Sequence, residues 1–351
     1  MLEIGGARVA LAGFARDAAL RPEIEERTPL HLGVSRDAAF LQRAGLAAKN
    51  AVFNTEIKDR FADCEIVMAR NLEQLAIAAR ITGERPLVYE CLDIHRLLVE
   101  DGLAARLVQQ LEGALLPRCA ALLTSSPAFL RNHFDHRPLQ APTYVIENKL
   151  LLDPQDPAPA ALETQTAREG PITIGWFGML RCKRTLAFLE ELATAAEGRI
   201  EVLVAGKPSP AEVPDLAQRV GAHPHMTFHG SYTYNDLLEL YGRCDFAWSV
   251  DWFEEGLNSQ WLLPNRLYEA ITYGCVPIAM RDVEVGKWLK REGAGLIVED
   301  ADDAKATLLA MTRSQAAQLR AQAQDIDTSK TTADTAECER LVALLAELTR
   351  P

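Results

Sequence analysis

The 351-residue sequence contains no CxxC pair, no excess of positive charge and few aromatic residues, 7% in all. Its longest apolar runs fall short of the ~18 residues that cross a bilayer. Each absence excludes a class. The seven cysteines, Cys64, Cys91, Cys119, Cys182, Cys244, Cys275 and Cys338, are odd in number and widely spaced, which suits reduced thiols rather than a disulfide framework. Lys and Arg total 37 against 49 Asp and Glu, a net charge of −12. A general nucleic-acid binder needs a basic footprint to displace counterions, so that class is excluded. The opening MLEIGGARVALAGFARD has neither the charged start nor the ~7–15-residue apolar core of a secretory signal. Gly175-x-x-Gly178 falls short of GxGxxG, so no nicotinamide-dinucleotide fingerprint is present. No repeat recurs at a solenoid period.

What is present is a chain 48% hydrophobic and 25% charged, enough for two cores at ~100–200 residues per domain. The expectation is a cytoplasmic, soluble, two-domain protein. Short β-branched or apolar runs alternate with helix-period segments, the pattern of parallel α/β sheets. In the first half the predicted strands are Arg8–Phe14, Cys64–Ala69, Pro86–Tyr89, Ala121–Ser125 and Thr143–Ile146, with helices over Leu72–Ile81 and Leu97–Leu116. In the second they are Ile172–Phe177, Ile200–Ala205, Met226–His229, Phe246–Val250, Val276–Met280 and Gly295–Val298, with helices over Thr185–Ala196 and Asn235–Arg243. The stretch Asp153–Gly170 is rich in Pro, Ala and polar residues and reads as a linker. Thr331–Leu348 is a further helix whose docking place the composition does not fix. Two such sheets place a ligand cleft between their carboxyl ends.

Asp251–Met280, DWFEEGLNSQWLLPNRLYEAITYGCVPIAM, is the most informative segment. Pro264 suits a helix start, where its missing N–H is no loss. Asn265, Arg266 and Glu269 then fall in the first two turns. A helix N-terminus presents free N–H groups to a diphosphate, and a carboxylate one turn on is placed for ribose hydroxyls. The alternative is a surface helix carrying an i,i+3 salt bridge between Arg266 and Glu269.

PNRLYEAITYGCVPIA resembles the donor-binding motif of the GT-B glycosyltransferases of family 4. ITIGWFGMLRCKRTLAFLEELA, IEVLVAGK, MTFHGSYTYNDLLELYGRCDFAWSVD and GAGLIVEDADD resemble its donor domain in the same order. PLVYECLDIHRLL, ALLTSSPAFL and YVIENKLLLDP resemble its acceptor domain. The branch most resembled builds bacterial exopolysaccharide. The resemblance implies an α/β GT-B fold, two Rossmann-like domains with a cleft between them. Residues 1–155 would bind acceptor, 156–170 link, 171–328 bind the nucleotide sugar, and 329–351 form the final helix.

Carried onto this sequence, Glu269 would hold the donor ribose, and Arg181, Lys183 and Arg184 the donor diphosphate, whose growing charge cations stabilise. Gly178 would let backbone approach phosphate. Asn265 and Arg266 open the donor helix; on the loop before it, Glu254, Glu255 and Asn258 either read sugar hydroxyls or form an acidic surface loop. His95 would line the donor sugar. Ser125 and Ser126 lack a nearby His/Asp partner, against a serine-hydrolase reading. His223, His225 and His229 lack the companions of a metal site, so no metal and no other cofactor is expected.

Three departures stand out. The family's Glu-x7-Glu pair is broken, with Trp261 eight residues before Glu269. Its Gly-Arg pair reads Gly178-Met179. GGARVALAGFARD resembles the family's second strand, so the N-terminal domain is expected to lack its first. The resemblance implies a retaining hexosyltransferase, using a nucleoside-diphosphate sugar and a saccharide acceptor, lipid-linked, with peripheral contact at the cytoplasmic membrane face. A nucleotide-sugar epimerase on the same fold and a non-catalytic assembly subunit remain the alternatives.

Overall fold

The structure is a computed structural model that describes residues 1–15, 22–35, 40–152, 169–253, 255, 256 and 258–350. The chain divides into two units, residues 1–147 joined by those from 335 on, and residues 148–334. The expected linker over 156–170 lies outside the described residues except at its last two positions.

In the first unit, β1 (Ala12–Ala15) pairs in parallel with β2 (Leu30–Val34) across the short helix α1 (Pro22–Glu25). Helices α2 (Phe40–Phe53) and α3 (Glu56–Arg60) follow. Then β3 (Val67–Arg70), α4 (Asn71–Ile81), β4 (Leu87–Cys91), α5 (Leu103–Leu115), β5 (Ala121–Thr124), α6 (Pro127–Asn132) and β6 (Thr143–Val145) alternate. The last four strands lie side by side in chain order, all parallel. All four residues of β5 are buried, as expected of a parallel strand covered on both faces.

The second unit begins at β7 (Leu150–Leu151). It continues with β8 (Ile172–Leu180), α7 (Lys183–Ala195), β9 (Ile200–Pro208), α8 (Leu216–Ala222), β10 (Met226–Gly230), α9 (Leu237–Gly242) and β11 (Phe246–Trp248). Next come α10 (Asn265–Thr272), β12 (Val276–Met280), α11 (Glu284–Glu292), β13 (Leu296–Val298), α12 (Ala301–Ala310), α13 (Arg313–Gln324) and β14 (Thr332–Ala333). Six strands form one parallel sheet in the order β10-β9-β8-β11-β12-β13. Strand order therefore reverses between β8 and β11, the point where sheets of this kind open a crevice at their carboxyl ends. The strands β7 and β14 form a separate parallel pair. The last helix, α14 (Thr335–Glu347), returns to the first unit and packs Leu341 and Leu345 against Val88, Ala121 and Leu123.

Some elements differ from the sequence expectation. The first strand starts at Ala12 rather than Arg8, and β2, β7 and β14 are strands that periodicity did not signal, being two to five residues long. The single helix expected over Leu97–Leu116 is broken. Arg96–Leu98 forms a 3-10 turn, and Gly102, at φ +133°, restarts the chain as α5. Such a φ is open to glycine and strained for other residues. The final helix begins at Thr335, since Thr332 and Ala333 are drawn into pairing with β7.

A buried ion cluster ties this second unit together. Asp245, 4% exposed, accepts from the Thr173 amide (2.9 Å), from Arg313 Nη1 (2.8 Å) and from Arg320 Nη2 (2.7 Å). Arg313 also donates to the carbonyls of Gly170 and Pro171, and Arg320 to that of Cys244. One carboxylate thus holds the starts of β8 and β11 and the whole of α13. Removing one partner of a buried pair leaves an uncompensated charge, at about 3–5 kcal/mol. The variant D245A should therefore lower Tm by roughly 10 °C, measured by thermal unfolding under circular dichroism. A shift within experimental error would show the cluster to be dispensable.

Candidate functional site

The carboxyl ends of β8 and β11 carry the predicted donor residues. At the end of β8, Gly178 (φ +110°) stands opposite Gly206 of β9 (φ +142°). A Cβ on Gly206 would come 1.8 Å from the Gly178 carbonyl oxygen, so only glycine allows the strands this close. A Cβ at Gly178 would meet nothing within 4 Å, which leaves open space over its backbone. The helix α7 then starts at Lys183, with Cys182 Sγ accepting from the Thr185 amide as its cap.

Lys183 and Arg184 in the first turn oppose the helix dipole. Their surroundings offset this. Lys183 pairs with Glu212 at 3.5 Å. Arg184 pairs with Glu255 and lies 4.4 Å over the ring of Trp252, and Arg181 lies 4.4 Å over Phe253. The loop after β8 is thereby laced to the loop after β11 by two cation–π contacts, each worth ~0.5–1 kcal/mol where exposed. Trp252 in turn packs against Phe188 and Trp248. Three buried polar atoms at this end of the sheet, Thr185 Oγ1, Ser249 Oγ and Trp252 Nε1, have no hydrogen-bond partner among the described residues.

The loop after β11 leads to α10. Asn258 is buried in a 3-10 turn, Glu255 is exposed, and Glu254 lies outside the described residues. Pro264 caps α10, and Asn265 opens it. Arg266 pairs with Asp251 at 3.7 Å, not with Glu269 as an i,i+3 bridge would require. Asp251 also accepts from the Phe253 amide.

Glu269 occupies an aromatic enclosure. Its Oε2 accepts from the buried Tyr241 hydroxyl at 2.9 Å. Tyr241 stacks on Tyr273 and meets Phe177 edge-on, and Phe177 meets Tyr232. Burial pushes the Glu269 carboxyl above its ordinary 4.5, against the opposing pull of the Tyr241 hydroxyl and of Arg266. The same burial and the Glu269 charge push Tyr232 up to about 12. Tyr232, Tyr241, Trp252 and Phe253 were not legible as site residues. Local aromatic density, SYTYNDLLELY, marks the two tyrosines in an aromatic-poor chain, and Trp252 and Phe253 stand in DWFEEG at the start of the segment leading to α10.

In the first unit, His95 follows β4 and caps the 3-10 turn Arg96–Leu98, its Nδ1 accepting from the Leu97 amide at 3.3 Å. Asp93 beside it is exposed. Ser125 is buried and donates to the Leu92 carbonyl, and Ser126 caps α6. Both serines are thus backbone ties rather than nucleophiles.

A raised carboxyl pKa destabilises the fold wherever the group is ionised, above the raised value, and that cost is gone below 4.5. Glu269→Gln keeps an acceptor for Tyr241 without the charge. It should melt a few degrees above the wild type near pH ~7.5, the gap closing by pH ~4, in differential scanning calorimetry. A lower melting point for E269Q near neutrality would contradict this account.

Comparison with known proteins agrees with the fold. Residues 171–314 fit the profile of the family described as glycosyl transferases group 1. The chain is 39% identical over 360 residues to the succinoglycan biosynthesis protein ExoL of Rhizobium meliloti (strain 1021), covering 99% of this chain and 89% of that protein. Among solved structures it is similar to Anabaena Alr3699/HepE in complex with UDP and glucose, with TM-score 0.66, 16% identity, and 96% and 91% of the two chains covered. It is also similar to a sucrose-phosphate synthase from Thermosynechococcus elongatus, with TM-score 0.62, 14% identity, and 90% and 80% covered. The parallel sheets, the reversal of strand order and the match along nearly the whole chain lead to one conclusion: this protein belongs to the group 1 glycosyltransferases and has their GT-B fold of two Rossmann-like domains.

Proposed function

We propose that the chain transfers a hexose, with retention, from a nucleoside-diphosphate sugar to a lipid-linked saccharide acceptor during exopolysaccharide assembly. The observation that carries this reading is Glu269, a carboxylate raised by burial beside the switch point of the sheet, with cations on the neighbouring loops. The ExoL relative, named for succinoglycan biosynthesis, and the HepE structures with UDP, UDP and glucose, and UDP-glucose support the polysaccharide and the donor class.

In this reading Glu269 accepts the ribose hydroxyls, and Asn265 and Arg266 meet the donor at the start of α10. Asn258, Glu255 and Glu254 read the sugar, and Gly178 gives room for phosphate. As the bond from the anomeric carbon to the diphosphate oxygen breaks, charge grows on the diphosphate. Arg181, Lys183 and Arg184 take it up. The acceptor oxygen bonds to the anomeric carbon on the same face, and its proton passes to the departing diphosphate. His95 meets the donor sugar. With cations supplied by side chains, the reading needs no metal.

No helix among the described residues is long and apolar enough to cross a membrane. Leu103, Leu107 and Leu111, at 82%, 68% and 44% exposure, make an apolar stripe at i, i+4 and i+8 along α5. With Arg106 flanking them, they support peripheral contact with the cytoplasmic membrane face.

Calorimetry against a panel of nucleotide sugars tests the reading. Wild type should bind one of them and hydrolyse it slowly, and E269A should bind it ~10–100-fold more weakly, the loss of a charge-assisted hydrogen bond. EDTA should leave binding and hydrolysis unchanged. Isomerisation of the donor without acceptor would instead mark an epimerase, and binding to no nucleotide an assembly subunit.

A further inference from the structure

A second buried carboxylate lies in the first unit, and the donor chemistry does not use it. Glu112 on α5 is fully buried. His133 Nε2 lies 2.8 Å from its Oε2, and Arg137 Nε lies 3.5 Å from the same oxygen. Its Oε1 has no hydrogen-bond partner among the described residues. Tyr89 and Cys91 of β4 stand near enough that burial, together with the Glu112 charge, pushes both well up, so they remain neutral. A buried ion group is a poor source of stability, and a half-satisfied one is worse than an apolar core. Its presence points to something it holds in place.

What it holds is the turn after β4. Arg137 Nη2 donates to the Leu98 carbonyl at 3.2 Å. Leu98 ends the 3-10 turn that His95 caps, and its own amide donates to the His95 carbonyl at 2.8 Å. The rest of this loop is held at both ends, Leu92 O by Ser125 Oγ at 3.1 Å and Glu100 O by Gln109 Nε2 at 3.1 Å. Between those ties, Cys91 Sγ lies 3.5 Å from the Asp93 carbonyl, Arg137 reaches the last residue of the 3-10 turn, and Glu112 with His133 fixes Arg137 in turn.

We propose that Glu112, His133 and Arg137 are positioning residues that clamp the His95 turn. The proposal rests on the assignment of His95 to the donor sugar. A clamp of this kind acts on the rate and not on nucleotide affinity, because small displacements of a positioned group cost rate steeply, up to ~100-fold for about 1 Å. Lys at position 137 keeps a donor for the Leu98 carbonyl but loses the fork that spans carbonyl and carboxylate.

The experiment takes the nucleotide sugar that binds in the panel and follows its hydrolysis by wild type, R137M, R137K, H95A and R137M/H95A, with thermal melting of each. R137M should lower kcat ~10–100-fold with the donor Kd changed less than about twofold, R137K should recover part of the rate, and R137M/H95A should be no slower than H95A. If R137M does not fold, R137K and R137K/H95A give the same comparison. Losses that multiply in the double variant, with H95A itself impaired, overturn the clamp alone. A wild-type rate in H95A overturns the role of His95 and the clamp with it.

Discussion

The second unit depends on one short ladder. The strands β8 and β11 pair over just two registers, Phe246 with Ile174 and Ala247 with Gly175. At the base of that ladder, Asp245 bonds the Thr173 amide and carries two arginines from α13. Beyond it the strands part, β8 running on beside β9 as far as Leu180 and β11 stopping at Trp248. Because right-handed crossovers send successive strands outward on either side, the gap at the carboxyl ends cannot be filled by another strand. Side chains line it instead, and they make up the candidate site.

Those side chains share a feature. Among the described residues, several charges at the crevice have protein partners. Arg181 and Arg184 lie on aromatic rings, Arg266 is paired to Asp251, and Glu269 sits under a tyrosine hydroxyl among other rings. Such groups are ordered before a ligand arrives, so binding need not bear the full cost of freezing them. The buried Glu269, and the Thr185, Ser249 and Trp252 atoms without a hydrogen-bond partner among the described residues, show the other side of the arrangement, since the fold tolerates unfavourable burial at the candidate site. In the first unit, side chains from Ser125, Gln109 and Arg137 bond the backbone of the loop after β4, which carries the 3-10 turn Arg96–Leu98.

Much of the architecture was legible because periodicity is a local property. The six strands of the second sheet, the helix bearing Asn265, Arg266 and Glu269, and the alternation that separates parallel from antiparallel sheets all follow from residues within a few positions of each other. Short strands escaped, for β7 and β14 are two residues each and exist by pairing with one another. The break at Gly102 escaped because Leu97–Leu116 keeps a helical apolar pattern across it, and a left-handed glycine leaves no mark on hydrophobicity.

Sequence alone thus determined the class of fold, the family resemblance and the helix that bears Asn265, Arg266 and Glu269. Only tertiary structure decided what surrounds each charge. Tyr241 reaches Glu269 across 28 residues, Arg184 reaches Glu255 across 71, and Arg320 reaches Asp245 across 75. Spacings of that size are invisible to any local pattern. They are set by how the crossover helices return each loop to the same edge of the sheet, and a side chain's protonation and orientation follow from the neighbours it meets there.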